Sequence, residues 1–288
     1  TAFGLLLLVG ELYVIQREFR DLSVRDSGDA LHATPSLTLL IAAGWTVATY
    51  AVLSAYDKLG SIYAGHPVSW LRSAFASFTA YALANNLGFS TVSGAAVRYR
   101  LNTAWGLPPV TIAKIVAFTS LTSGRGGGAL IGPVLVAEPE ILHFLAGATP
   151  LWVIRGVGLL LWAIVGSYIL LSRILPHFTL FGHRIELPGP WMAIGQTVLA
   201  SADVAMTAMI FYVLLPPSEH LTFIHFLGIY VLAFSAGMAA NVPGGIGVFD
   251  GAIMLGLSAY MPTPQVVGAL LLFRLYYYIG PLFFAGAM

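Results

Sequence analysis

Ala239-Ala240-Asn241-Val242-Pro243-Gly244-Gly245-Ile246-Gly247-Val248-Phe249-Asp250-Gly251-Ala252 lies between two stretches apolar enough to sit in a bilayer. One Pro, four Gly and one carboxylate interrupt the helical pattern there. Lipid cannot satisfy freed N–H and C=O groups. Backbone that breaks at membrane depth must therefore be buried in protein or line a polar cavity. Broken helices of this kind build the mid-membrane sites of many transporters. The stretch predicts an all-α fold: a polytopic transmembrane helical bundle with broken or re-entrant helices.

Composition points the same way. The 288 residues are 58% hydrophobic and only 9% charged, with mean hydropathy +0.85, against about 25% charged residues in soluble domains. Apolar runs that are long and do not alternate argue against a transmembrane β-barrel. A net charge of +1 gives no case for nucleic acid. With no Cys there are no disulfides or thiolate metal sites. The chain opens on Thr1 just before an apolar run and closes on Met288 inside another. It is therefore expected to be a piece of a longer chain, with residues 1–288 forming one integral-membrane region. A cleavable signal is not expected, since no basic segment precedes the first run and Glu11 interrupts it.

A span needs about 20 mostly apolar residues. The runs are Ala2–Ile15, Leu37–Tyr56, Val68–Leu87, Val110–Val136, Leu151–Leu171, Trp191–Leu215, Phe223–Ala240, Val248–Met261 and Val266–Met288. Val248–Met261 is short, and reads as half of a broken helix or a re-entrant piece. With Gln16–Ser36 in the cytoplasm and strict alternation, Arg17, Arg20, Arg25, Arg98, Arg100, Arg173 and Arg184 fall inside and only Lys58 outside. Ala76, Ala80 and Ala84 put a small-residue face on Val68–Leu87, which reads as a buried packing helix. Asn85-Asn86-Leu87-Gly88-Phe89-Ser90-Thr91-Val92-Ser93-Gly94-Ala95-Ala96 resembles the Asn241–Ala252 pattern, so either chance or an inverted repeat meeting near the midplane explains both.

Ionisable residues inside a bilayer are costly unless paired or wetted, which makes each a functional candidate. Asp203 and Arg274 lie near the centres of their runs. They either pair with each other or other buried charges, or face a hydrated cavity and a charged substrate. Glu11 is similarly apolar in setting. Arg98 and Arg100 flank Tyr99 after the first break, as positive-inside anchors or as captors of lipid phosphate. Arg72, Lys114 and Arg155 sit near span ends and snorkel. Ser123-Gly124-Arg125-Gly126-Gly127-Gly128 is expected to break or loosen its helix; it is no P-loop. Tyr277, between Tyr276 and Tyr278, either packs or lines a cation-accepting site. No hydrolase or metalloprotease motif appears, and the seven scattered His give no metal site. No cofactor is implied.

The residues Asn85–Leu101, the run Val242-Pro243-Gly244-Gly245-Ile246-Gly247-Val248-Phe249-Asp250, and Arg274-Leu275-Tyr276-Tyr277-Tyr278 with Pro281 together resemble the integral-membrane region of the bacterial lysyl-phosphatidylglycerol synthase/flippases, the multiple peptide resistance factors. The resemblance covers most of the chain. It implies a multi-pass protein of the bacterial cytoplasmic membrane. Its implied activity is to move aminoacylated phosphatidylglycerol from inner to outer leaflet and so repel cationic antimicrobial peptides. Synthesis of that lipid from aminoacyl-tRNA belongs in the family to a soluble domain that this chain does not contain. The Gly124–Gly128 stretch departs from the family pattern. A carrier of this lipid would offer Asp203, Asp250 and Glu11 to the amines. It would offer Arg274, Arg98 and the break after Asn241 to the phosphate, with Tyr277 alongside. A homo-oligomer is compatible with this reading. The alternatives are a membrane portion that presents lipid to a synthase, or a transporter of another small solute.

Overall fold

The computed structural model describes residues 34–87, 90–140, 149–175, 177–180, 183–240 and 243–288. The expectations placed on Ala2–Ile15, Glu11 and Asn241 lie outside the described residues.

The described chain is helical apart from one short ribbon. Helix α1 is Ser36–Tyr63, α2 Trp70–Leu87, α3 Ser90–Ala104, α4 Pro109–Ala137 and α5 Leu151–Ile174. Strands β1 (His177–Leu180) and β2 (His183–Glu186) pair antiparallel, with Phe178 opposite Ile185. Helix α6 is Pro190–Leu214, α7 Phe223–Ala240 and α8 Val248–Leu257. Helix α9 (Thr263–Arg274) runs through a π-helical turn, Leu275–Ile279, into α10 (Gly280–Ala287). Prolines set four of the starts: α1, α4, α5 and α9 follow directly on Pro35, Pro108, Pro150 and Pro262. The proline ring disfavours helix in the residue before it and has no N–H to lose. Five helical stretches are long and apolar enough to cross a membrane: α1, α5, α6, α7 and α9 through α10.

Two helical pairs enter the bundle and turn back. Phe75 meets Trp105 at 6.4 Å, Arg72 lies over the same indole, and Gly94 packs on Ala84 and Ala80. Residue numbers thus rise in α3 as they fall in α2, and the two form an antiparallel hairpin. Its ends lie together, because His66 before α2 reaches Thr111 at the start of α4 (3.4 Å). In the second pair, Gly237 of α7 faces Phe249 of α8, and Gly256 of α8 abuts Ile229 of α7. This hairpin enters from the opposite face, where His225 of α7 bridges to Glu138 at the end of α4 (3.2 Å). The short run Val248–Met261 is therefore the returning arm of a re-entrant hairpin. Ala76, Ala80 and Ala84 are buried as their spacing predicts.

The hairpins make an inverted repeat. Helices α1, α2, α3 and α4 correspond to α6, α7, α8 and α9–α10. Helix α1 packs antiparallel on α6, while α2 packs on α10 and α7 on α4. A large aromatic core fills the second repeat: Phe211 stacks on Phe273 at 4.9 Å, with Phe226, Tyr230 and Phe249 around them.

Two expectations are corrected. Strict alternation fails at α2–α3, because a hairpin returns where a span would cross. Arg98 and Arg100 therefore belong to the face that holds Lys58. Among the described residues that face carries Lys58, Arg72, Arg98, Arg100, Lys114, Arg173 and Arg184 with Asp57 and Glu186, and the opposite face Arg155 with Glu138, Glu140 and Glu219. The cation bias turns to the Lys58 face. The second correction concerns Gly124–Gly128, which leaves α4 unbroken. Two of these glycines, Gly126 and Gly127, are contact points. A Cβ at Gly126 would collide with the Ala200 carbonyl of α6, and Gly127 faces Phe234 and Ser235 of α7. Small residues let helix backbones approach inside a membrane.

The hairpin topology predicts that cysteines introduced as His66→Cys and Arg100→Cys in this Cys-free chain react with an impermeant maleimide from the same face of the membrane. Glu219→Cys should react from the other. Labelling of positions 66 and 100 from opposite faces would restore simple alternation. Gly126→Ala should lower the melting temperature of the detergent-purified protein, at a cost of about 1–3 kcal/mol from overpacking. Gly128→Ala, with nothing within 4 Å of its Cβ, should be neutral.

Candidate functional site at the hairpin tips

The Pro-Gly-Gly-x-Gly break gives the second hairpin its tip. Gly244, Gly245 and Gly247 have φ of 57°, 68° and 79°, left-handed values that glycine adopts without a Cβ clash. The turn Pro243–Gly245 packs against α2, the entering arm of the other hairpin. Asp250 then sits in the first turn of α8. Its Oδ2 accepts the Gly247 N–H at 3.0 Å, which satisfies one of the donors that a helix start leaves open. Its Oδ1 accepts from Arg274 Nη2 at 2.6 Å. Both side chains are largely buried, Arg274 at 5% exposure and Asp250 at 16%. Arg274 also lies 5.7 Å from the centre of the Tyr278 ring.

The π-helical turn that follows Arg274 frees carbonyls from the regular ladder, a feature frequent at functional sites. Tyr50 of α1 donates to the Tyr277 carbonyl (3.2 Å), and Asn86 at the tip of the first hairpin donates to the Tyr278 carbonyl (3.1 Å). Asn86 also donates to Ala82 (2.7 Å). The first hairpin tip thus meets the irregular turn halfway along α9–α10 directly, and the second reaches Arg274, the residue just before it, through Asp250. The Tyr277 ring stacks on Phe273 at 5.7 Å and tilts against Tyr50 at 5.9 Å.

Asp203, in the middle of α6, accepts from the Tyr56 hydroxyl at 3.2 Å through Oδ2. Its Oδ1 is buried and accepts no hydrogen bond. Arg98 is in a different place. Its Nε and Nη2 bind the Asp57 carboxylate of α1 at 2.7 and 2.9 Å, in bidentate geometry, with 6% and 4% of the two side chains exposed. Its guanidinium also covers the Tyr81 ring at 4.6 Å, and Tyr81 shares a 2.8 Å hydrogen bond with Ser123 of α4. Of the two arginines expected as anchors or captors of lipid phosphate, only Arg100 is exposed, and Arg98 is held inside. Residues 98 and 100 lie about 200° apart around a helix, so one turns in as the other turns out.

The structure therefore brings together Asp250 and Arg274, with Tyr278 beside the guanidinium and Tyr277 turned to Phe273 and Tyr50. It sets Asp203 beside them across Tyr50 and Tyr56, and separates Arg98. Sequence reading missed Asp57, Tyr56 and Asn86. Asp57 was legible in principle, since Tyr50, Leu53, Ser54, Asp57 and Ser61 repeat at helical spacing on one buried face. Among the described residues no cluster of three His, Cys, Asp or Glu could hold a metal ion.

This architecture defines a multi-pass membrane protein with two inverted hairpin repeats. No family model matches the chain. It is 35% identical over 235 residues to the protein slr0712 of Synechocystis sp., covering 81% of this chain and 72% of that one. It is 32% identical over 254 residues to the inner membrane protein YbhN of Escherichia coli, covering 86% and 78%. The chain belongs to the family of YbhN. It is also 26% identical over 258 residues to a phosphatidylglycerol lysyltransferase of Staphylococcus aureus, which takes in 87% of this chain and 28% of that enzyme.

Asp57→Ala should cost about 3–5 kcal/mol of stability, because it strands the buried Arg98 guanidinium. The double change Asp57→Leu with Arg98→Met should recover most of that loss in a detergent melting series. If the single variant melts like the wild type, the pair holds nothing together.

Proposed function

We propose that this chain translocates an aminoacylated phosphatidylglycerol, such as lysyl-phosphatidylglycerol, from the inner to the outer leaflet, and so lowers the attraction of the cell surface for cationic antimicrobial peptides. The relation to phosphatidylglycerol lysyltransferases supports a lipid-related membrane function. The observation that carries the finer reading is the meeting of the two hairpin tips deep inside the apolar bundle, around Asp250, Arg274 and the π-helical turn. Non-helical backbone at that depth is tolerated only inside protein or beside a wet cavity. Inverted repeats with broken helices are how many carriers place such a site.

The chemistry matches the headgroup. Lysyl-phosphatidylglycerol presents one phosphate and two amines. Arg274 and the amides of the tip at the start of α8 suit the phosphate. Asp250 and Asp203 suit the amines, with Tyr277 lining the way. Asn241 and Glu11 join the same proposal, and Arg98 acts through the fold by holding α3 to α1. The Asp250–Arg274 pair neutralises both groups in this state, so a zwitterionic headgroup would open it, one partner to each of its charges.

In cells supplied with lysyl-phosphatidylglycerol by a separately expressed synthase, Asp250→Asn and Arg274→Gln should each lower outer-leaflet fluorescamine labelling at least about tenfold. Total aminoacyl lipid should stay constant. Unchanged labelling rejects the proposal. The second reading, a membrane portion that presents lipid to a synthase, is favoured by the match to part of a lysyltransferase. It predicts that total aminoacyl lipid falls instead.

A further inference from the structure

The geometry points to Asp203 as the binding site of a small monovalent cation, H+ or Na+, that exchanges with the headgroup ammonium. This inference rests on the translocation reading for its purpose and on the charge balance of the bundle for its evidence. Three carboxylates lie deep among the described helices. Asp57 has the Arg98 guanidinium and Asp250 has that of Arg274. Asp203 has one tyrosine hydroxyl, and its buried Oδ1 accepts no hydrogen bond. An uncompensated carboxylate in the middle of a membrane span is costly, and such residues mark ion paths and proton relays.

Among the described side chains around it, none cancels its charge. Helix α1 brings Tyr50, Tyr56 and, next in the chain, Asp57; α2 brings Tyr81 and α7 Tyr230. The π-helical turn brings Tyr277, next to Arg274, whose guanidinium is held by Asp250. Helix α5 reaches α6 through Tyr168 on Gln196, which donates in turn to Thr122 of α4. Arg125 precedes Gly126, the α4 residue that seats on Ala200, and is the one cation the test must separate. Tyrosine hydroxyls supply neutral oxygens to a bound cation and supply no counter-charge. A carboxylate that holds either a small cation or the lipid ammonium, and not both, converts an ion gradient into directed lipid movement.

The test needs no lipid substrate. The purified full chain is melted in NaCl against choline chloride, and across a series from about pH 5 to pH 8. Wild type should gain about 4 °C with Na+ if that is the ion, or as pH falls if it is the proton. Asp203→Asn should lose that response. Tyr56→Phe keeps the charge and should keep the response with a displaced midpoint, which covers the case where Asp203→Asn fails to fold. Identical responses in wild type and Asp203→Asn would overturn the inference. So would stabilisation by lysyl-phosphatidylglycerol micelles alone, without a cation response. Recovery of Asp203→Asn stability by a second change, Arg125→Gln, would also overturn it, as it would make Arg125 the partner. A cation response without lipid movement would leave this inference standing and sink the translocation reading.

Discussion

Hydrocarbon offers a peptide group no hydrogen bond, and that constraint organises the whole bundle. Two hairpins turn back inside the bundle, and the second brings the non-helical backbone of Pro243–Gly247 there, so each tip has to find its partners inside the protein. The second tip finds Asp250, which accepts the Gly247 amide, and α2, which covers the Pro243–Gly245 turn. The first lends Asn86 to a carbonyl that the π-helical turn has freed. The tips therefore depend on each other and on α9–α10. The pseudo-symmetric packing of α2 on α10 and α7 on α4 is the large-scale form of that dependence.

Charges follow the same logic. The outgoing arm of each hairpin turns one charged side chain inward, Arg98 on α3 and Asp250 on α8, and each is matched by a flanking helix through Asp57 or Arg274. Buried pairs contribute little net stability, and losing one partner is severe. Their value here is registry. A hairpin lined with Ala and Gly has few bulky knobs to fix its depth, whereas a bidentate ion pair has one good position. Asp203 stands outside this scheme, and that sets it apart from the staples.

The second hairpin was legible because Pro243 and three left-handed glycines announce a break in any environment. The first was not. Gly88 to Ala96 reads equally well as a connection that crosses or one that returns, since composition records that a helix ends and not which way the chain leaves. That ambiguity put Arg98 and Arg100 on the wrong face. It also made Arg98 look like an anchor, although only Arg100 is exposed. Gly124–Gly128 misled for a related reason: low helix propensity in water is a packing asset between membrane helices, where close backbone approach compensates.

The sequence by itself determined that this chain is a helical membrane bundle, that its backbone breaks at Pro243–Gly247, and that Asp203 and Arg274 lie near the centres of apolar runs with Asp250 beside the break. Length and polarity suffice for such conclusions because transfer into lipid is a property of segments. Which carboxylate meets which guanidinium, and whether α2–α3 crosses or returns, was decided only by the tertiary structure. Those outcomes depend on contacts between residues 41 and 24 positions apart in the chain. Local pattern carries no information about pairings that exist only once the helices have packed.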